Sequence, residues 1–188
     1  FRRSLQFMQR VAAILFIPVL VLSAYFFMQT GKEKVRMVEV RTNPGVVSTF
    51  ELPDGSKVWL NAGSSLKYPE NFWPECRLVE LTGQGYFEVT KNPEKPFIVN
   101  TERYDIKVMG TEFNVTAYSG SSVFETSLLK GAVEVFSPAE DTKVSLEPHM
   151  RTYEANGILK KDTIEHENYF LWKEGLICFY DEPVDKMI

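Results

Sequence analysis

The sequence is poor in the residues that build covalent frameworks and metal sites. Its 188 residues include two cysteines, Cys76 and Cys178, and two histidines, His149 and His166. Two cysteines cannot form the disulfide framework of a small secreted domain. A single bridge in an oxidising compartment and two unpaired, mostly buried thiols both stay open. A zinc site needs three or four ligands, and neither histidine has them nearby in the sequence, so no metal site is predicted.

The sequence also lacks the local signatures of common enzymes. It contains no phosphate-binding P-loop and no dinucleotide-binding fingerprint. His149 lies in a turn and His166 in a charged hinge, and neither is close to a serine or cysteine in a nucleophile-elbow setting. Gly83 and Gly85 flank one residue between two apolar runs, which is typical of a bulge or tight turn. We therefore predict that the chain is not an enzyme and binds no cofactor.

Acidic residues are absent from the first 32 positions, since all 25 of them lie from Glu33 onward. Three basic residues, Arg2, Arg3 and Arg10, precede a long apolar run. The formal net charge of the chain is −4, and the part that follows the apolar run is more acidic still. An acidic surface repels nucleic acid, so no nucleic-acid partner is predicted.

Residues 11–28 form an uncharged run, VAAILFIPVLVLSAYFFM. A helix of this length spans roughly 27 Å, close to the bilayer core of about 30 Å. A secretory signal peptide has a shorter apolar region and a small-residue cleavage site, whereas this run ends in Tyr-Phe-Phe-Met-Gln. The sequence therefore predicts an end fragment over residues 1–10, a transmembrane helix over 11–29 and a juxtamembrane linker over 30–44. Basic residues on the two sides nearly balance, so charge alone does not fix the orientation.

From Gly45 onward the pattern predicts a mainly β domain of sandwich, roll or barrel type. Two alternating segments, 49–52 and 57–60, flank the turn Pro-Asp-Gly-Ser, in which Gly55 accepts a positive φ. The pair Asn156-Gly157 predicts a second hairpin with a type I′ turn. Further strands are predicted at 77–82, 85–90, 97–100, 106–109, 113–118, 124–129, 132–136, 144–146, 152–154 and 158–160.

Six segments resemble, in order, the sequence pattern of the FecR family of membrane-bound anti-sigma regulators. They are LPDGSKVWLNAGSSLKYP (52–69), RLVELTG (77–83), GYFEV (85–89), KPFIV (95–99), GTEFNV (110–115) and LLKGAV (128–133). The resemblance implies an irregular periplasmic β-roll over residues 45–167. It also implies that residues 168–188 begin a C-terminal domain similar to the signalling domain of outer-membrane transporters. Because the chain starts at Phe1 and stops at Ile188 inside an apparent helix start, we expect a fragment that lacks both ends.

The resemblance implies a single-pass inner-membrane transducer with a cytoplasmic N-terminus and a periplasmic β domain. A cytoplasmic head would hold an extracytoplasmic-function sigma factor, and the periplasmic part would sense an outer-membrane TonB-dependent transporter. The alternative is a membrane-tethered periplasmic module, either structural or carbohydrate-binding through Trp59, Trp73 and Trp172. The inducing substrate, the particular partners and the oligomeric state are left open.

Gly110-Thr111 is the one position at which bond-breaking chemistry is considered. The resemblance points there, because some family members cut themselves at a Gly-Thr in this position. A threonine hydroxyl can attack the preceding carbonyl, and the ester that results then hydrolyses. A structural glycine bulge between two strands is the alternative, and we favour it.

Overall fold

The computed structural model describes residues 14–25, 35–137, 142–164 and 167–176. It divides into two units, Phe1–Val35 and Arg36–Ile188. In the first unit residues 14–25 are helical. Within the described ranges no helix has the length and apolar character needed to cross a membrane. The predicted span 11–29 extends past this helix on both sides, so its ends lie outside the described residues, as does the predicted fragment 1–10.

The second unit is mainly β, as predicted. Its strands in chain order are β1 (Met37–Arg41), β2 (Ser48–Glu51), β3 (Lys57–Leu60), β4 (Ser65–Pro69), β5 (Arg77–Glu88), β6 (Phe97–Asn100), β7 (Asp105–Val108), β8 (Glu112–Ala117), β9 (Phe124–Lys130), β10 (Val133–Phe136), β11 (Lys143–Leu146), β12 (Met150–Ala155) and β13 (Ile158–Thr163). A 3-10 helix, Glu167–Glu174, follows β13.

The long strand β5 belongs to two sheets. Its first half pairs with β4 and, in parallel, with β6, in a sheet of order β1-β4-β5-β6-β7-β10-β11. Its second half pairs with β3 and β8, in a sheet of order β2-β3-β5-β8-β9-β12-β13. The sequence predicted two strands here, at 77–82 and 85–90. They form one strand because Gly83, with φ +102°, lets the chain turn from one sheet into the other.

The two sheets share one hydrophobic core. Inward positions alternate along several strands, as in β3, where Val58 and Leu60 are fully buried while Lys57 is exposed. Aromatic rings fill the centre, and Phe87 stacks on Phe113 with a centroid distance of 5.2 Å. The other buried members include Leu66, Val79, Leu81, Phe97, Val99, Ile106, Val115, Leu128 and Val135. Burial of these side chains supplies the main driving force for folding.

Both predicted hairpin turns are confirmed. Gly55 has φ +79°, and the Leu52 N–H donates to Ser56 O at 2.8 Å, which closes the β2–β3 hairpin. Asn156 and Gly157 have φ values of 56° and 76°, as a type I′ turn requires, and they join β12 to β13. The remaining predicted strands are present, with ends that differ by a few residues.

Two segments contain elements that the sequence did not predict. The linker predicted over residues 30–44 contains β1, which pairs along its whole length with β4. Its alternating Val38 and Val40 are only half-buried, so the charged residues around them obscured the strand signal. Residues 168–188 were expected to begin a C-terminal domain, and the described start of this segment, Glu167–Glu174, is a 3-10 helix. Residues 177–188 lie outside the described part.

The bend in β5 leads to a testable prediction. A Cβ atom at Gly83 would lie 2.7 Å from the Ser64 backbone Cα, whereas one at Gly120, with φ +74°, would meet nothing within 4 Å. Gly120→Ala therefore adds only backbone strain, of about 1 kcal/mol. Gly83→Ala adds a clash as well, so we expect it to lower the free energy of unfolding by about 2–4 kcal/mol. Urea unfolding followed by circular dichroism measures both, and equal losses would contradict this role of Gly83.

Candidate functional site

Arg77, the first residue of β5, holds a buried positive charge. Its side chain is only 2% exposed. Nη1 donates to Asp54 Oδ2 at 2.6 Å and to Thr90 O at 2.9 Å, and Nε donates to Lys95 O at 3.0 Å. The guanidinium carbon lies 5.5 Å from the centroid of the Phe97 ring. Such a charge is tolerated inside a protein only when it is paired and hydrogen-bonded.

Asp54 ties the β2–β3 turn into the same network. Its carboxylate accepts hydrogen bonds from the Ser56 amide at 3.1 Å and from the Ser56 hydroxyl at 2.7 Å. The oxygen of that buried hydroxyl in turn accepts from the Thr90 amide at 3.0 Å. Asp54 therefore stabilises its own turn and also pairs with Arg77, 23 residues later. The sequence carries no local signal for that partner.

These contacts show that β5 curls until its ends meet. Arg77 begins the strand, and Thr90 follows its last residue, Glu88. A straight strand would separate the two by about 40 Å. The observed 2.9 Å contact between Arg77 Nη1 and Thr90 O therefore requires strong curvature. The sharp bend at Gly83 provides part of it.

Two cavities lie on the two sides of the segment that follows β5. One, of about 310 Å³, is lined by Glu88, Thr90, Lys91, Gly110, Thr111 and Glu112, among others. The other, of about 420 Å³, is lined by residues that include Asp54, Asn71, Arg77, Thr90, Lys91 and Lys95. Thr90 and Lys91 thus border both cavities.

Gly110 and Thr111 lie where the chain passes from β7 in one sheet to β8 in the other. A Cβ atom at Gly110 would lie 2.6 Å from Lys91 Cα, so only glycine fits there. Thr111 is buried, and its hydroxyl donates to Ala132 O at 3.0 Å. Its carbonyl accepts from the Val89 amide, also at 3.0 Å. Both residues therefore have a structural role. Their position at a corner between two strands is consistent with the alternative of a structural glycine.

His149 and Cys76, the other candidate residues that the structure describes, do not form a site. His149 is exposed in a turn with φ +64°, and its amide donates to Leu128 O at 2.9 Å. Cys76 is a half-buried free cysteine, whereas Cys178 and His166 lie outside the described residues. No group of three or more potential metal ligands occurs in the part of the chain that the structure describes.

The 3-10 helix Glu167–Glu174 covers the outer face of the second sheet. Lys173 Nζ lies 4.1 Å from the centroid of Tyr86 and 5.5 Å from that of Trp59. It also lies 3.9 Å from the Glu88 carboxylate, and the ring of Phe170 packs 5.8 Å from Tyr86. Burial raises the pKa of the Tyr86 hydroxyl, and two nearby carboxylates raise it further. Trp59 is therefore part of a covered cluster and does not form an open platform with Trp73 and Trp172.

Comparison with known proteins agrees with this architecture. The family profile described as "FecR protein" matches residues 38–134. Two crystal structures of a "putative anti-sigma factor" from Parabacteroides distasonis ATCC 8503 are similar to the chain. The one at 2.50 Å resolution has a TM-score of 0.74 and 34% sequence identity, over 81% of this chain and 72% of that chain. The one at 1.65 Å has a TM-score of 0.73 and 35% identity, over 80% and 71%.

No curated protein matches the chain. The profile match nevertheless covers more than half of the sequence, and the two crystal structures share the fold at more than 30% identity. The matched residues lie in the strands from β1 to the middle of β10, which contribute to both sheets. The chain belongs to the FecR family.

Proposed function

We propose that this chain is the sensing and transducing part of an anti-sigma regulator. The observation that carries the proposal is the agreement between the FecR match over residues 38–134 and the two crystal structures of a protein named as an anti-sigma factor. The fold fits this role, because it is a single-core β domain whose charged network joins separate segments. The family is regulatory. The contacts around Arg77 hold segments of the fold together.

The proposed location is the inner membrane. Residues 11–28 carry no charge, and proteins of this family are typically membrane-anchored. The N-terminal side then lies in the cytoplasm and binds an extracytoplasmic-function sigma factor. The β domain lies in the periplasm and receives the signal of an outer-membrane TonB-dependent transporter.

A carbohydrate-binding module is the less favoured function. It would need tryptophans exposed to a sugar ring. Trp59 instead contacts Tyr86 edge-on at 5.6 Å and lies beside Lys173. Trp172 is half-buried, and its Nε1 atom is fully buried.

Co-purification tests the proposed function. The full-length protein, extracted with detergent from membranes of the source bacterium, is expected to recover a sigma factor of the extracytoplasmic-function class. The 188-residue chain, tagged and extracted in the same way, is the control and is expected to recover none, because the proposed sigma-binding head precedes Phe1. A full-length protein absent from the membrane fraction, or recovered with no sigma factor, would contradict the proposal.

Self-cleavage at Gly110-Thr111 stays a prediction. In that reaction the Thr111 hydroxyl oxygen attacks the Gly110 carbonyl carbon. The new ester bond replaces the peptide bond, and the hydroxyl proton ends on the released Thr111 amine. Water then hydrolyses the ester, which leaves a Gly110 carboxylate and restores the hydroxyl. The cavity of about 310 Å³ beside Gly110 and Thr111 is large enough to admit that water.

Substitution of Thr111 tests this chemistry. If the chain cuts itself, the purified protein gives two fragments on a denaturing gel, and Thr111 is the new N-terminus of the second. Thr111→Ser retains a hydroxyl and still cuts, whereas Thr111→Ala leaves one intact polypeptide. A wild-type chain that stays whole after long incubation without protease shows that Gly110-Thr111 is only a structural corner.

A further inference from the structure

The cavity of about 420 Å³ beside the β2–β3 turn is lined by charged residues to which the proposed function assigns no role. It lies against the Arg77 network, and Phe72 and Lys95 are also among its lining residues. Small-molecule sites in proteins commonly enclose about 300–1,000 Å³. The cavity is therefore large enough for a small ligand or for one side chain of a partner protein.

Arg77 has more donors than the surrounding chain has acceptors. A guanidinium carries five N–H groups. Nε donates to Lys95 O, and Nη1 donates to Asp54 Oδ2 and to Thr90 O. Nη2 is buried and has no hydrogen-bond partner among the described residues. Buried polar groups in folded proteins are nearly always hydrogen-bonded. We therefore expect Nη2 to donate to an acceptor that is not among the described residues.

The lining of this cavity is cationic. Arg77, Lys91 and Lys95 contribute positive charges, and Asp54 contributes the one carboxylate of the lining. Neither lysine forms an ion pair with any residue that the structure describes. Lys95 Nζ makes a long 3.4 Å contact with Phe72 O. The Asp54 carboxylate is already paired with Arg77, so the two ammonium groups have no carboxylate partner among the described residues.

We propose that this cavity binds a carboxylate. Guanidinium and ammonium donors recognise carboxylate oxygens through short, charge-assisted hydrogen bonds. The bound group accepts from Arg77 Nη2 and neutralises Lys91 and Lys95. Because Nη2 is buried, side chains that line the cavity have to move for the carboxylate to reach it. The carboxylate belongs either to a small free acid or to an acidic side chain of a protein partner, which share this chemistry.

Calorimetric titration of the 188-residue chain in detergent, at constant ionic strength, tests the proposal. The probes are succinate, the blocked peptide acetyl-Gly-Glu-Gly-amide and inorganic phosphate. Saturable binding of succinate assigns the site to a free acid, and saturable binding of the peptide assigns it to a partner side chain. Either one supports a carboxylate site, provided that phosphate binds more weakly. The titration needs no sigma factor, so its result is independent of the proposed regulatory function.

The double variant Lys91→Gln/Lys95→Gln keeps Arg77 and its partners and removes two donors from the cavity. We expect it to bind the carboxylate probe at least about tenfold more weakly. The matched control is Lys67→Gln/Lys161→Gln, which removes two exposed lysines outside the cavity and should leave affinity unchanged. The proposal is overturned if neither carboxylate binds saturably, if phosphate binds as tightly, or if the double variant binds like the wild type. If neither carboxylate binds, Nη2 is satisfied by buried water and Arg77 is purely structural, whereas equally tight phosphate binding makes the cavity a general anion site and wild-type binding by the double variant removes the lysines from it.

Discussion

The ion pair between Arg77 and Asp54 is the contact that closes the β domain. With its other hydrogen bonds, Arg77 joins three segments that are distant in sequence: the turn after β2, the beginning of β5 and the segment after β5. A buried guanidinium that lost its carboxylate would be left as an uncompensated charge, which is far more costly than the loss of an exposed pair. The pair therefore sets the geometry that the neighbouring elements must adopt.

The rest of the architecture accommodates this closure. The strand β5 takes part in both sheets, and elsewhere the chain crosses from one sheet to the other between consecutive strands. The crossing from β7 to β8 contains Gly110, and the crossing from β9 to β10 contains Gly131. These two corners touch, since a Cβ atom at Gly131 would lie 2.9 Å from both Gly110 O and Thr111 Oγ1. The corners fit together because Gly131 has no side chain, whereas the missing side chain at Gly110 makes room for Lys91.

Local chemistry explains which parts of the fold could be predicted from the sequence. The turns at Gly55 and Asn156-Gly157 depend on residues that sit within the turn itself, and both were predicted. The identity of Arg77 as the partner of Asp54 depends on the tertiary fold, and no pattern of neighbours reveals it. The same holds for β1, whose partner β4 lies about thirty residues away in the chain. The 3-10 helix after β13 packs on the aromatic face of Trp59 and Tyr86, a tertiary contact that its own residues do not announce.

The position of the candidate site was likewise only partly predictable. The resemblance pointed to Gly110-Thr111 through a short motif, and the structure places that pair against the segment after β5, beside Lys91. The cavity next to Arg77 has no linear signature, because its charged residues come from three separate segments. A regulator that recognises its partner through a β domain can use such a composite surface. The shape of this surface depends on the curvature of β5 that brings the three segments together.

Native-state amide hydrogen exchange of the wild type and of Asp54→Asn tests the central claim most directly. The claim predicts that the amides of Arg77, Thr90 and Leu52, from the three joined segments, lose protection together in the variant. The expected loss corresponds to about 3–5 kcal/mol. Glu134→Gln removes a carboxylate from an exposed ion pair with Lys143 and should change protection by less than about 1 kcal/mol. If Asp54→Asn left the protection of Arg77 and Thr90 unchanged, the ion pair would not be the contact that closes the domain.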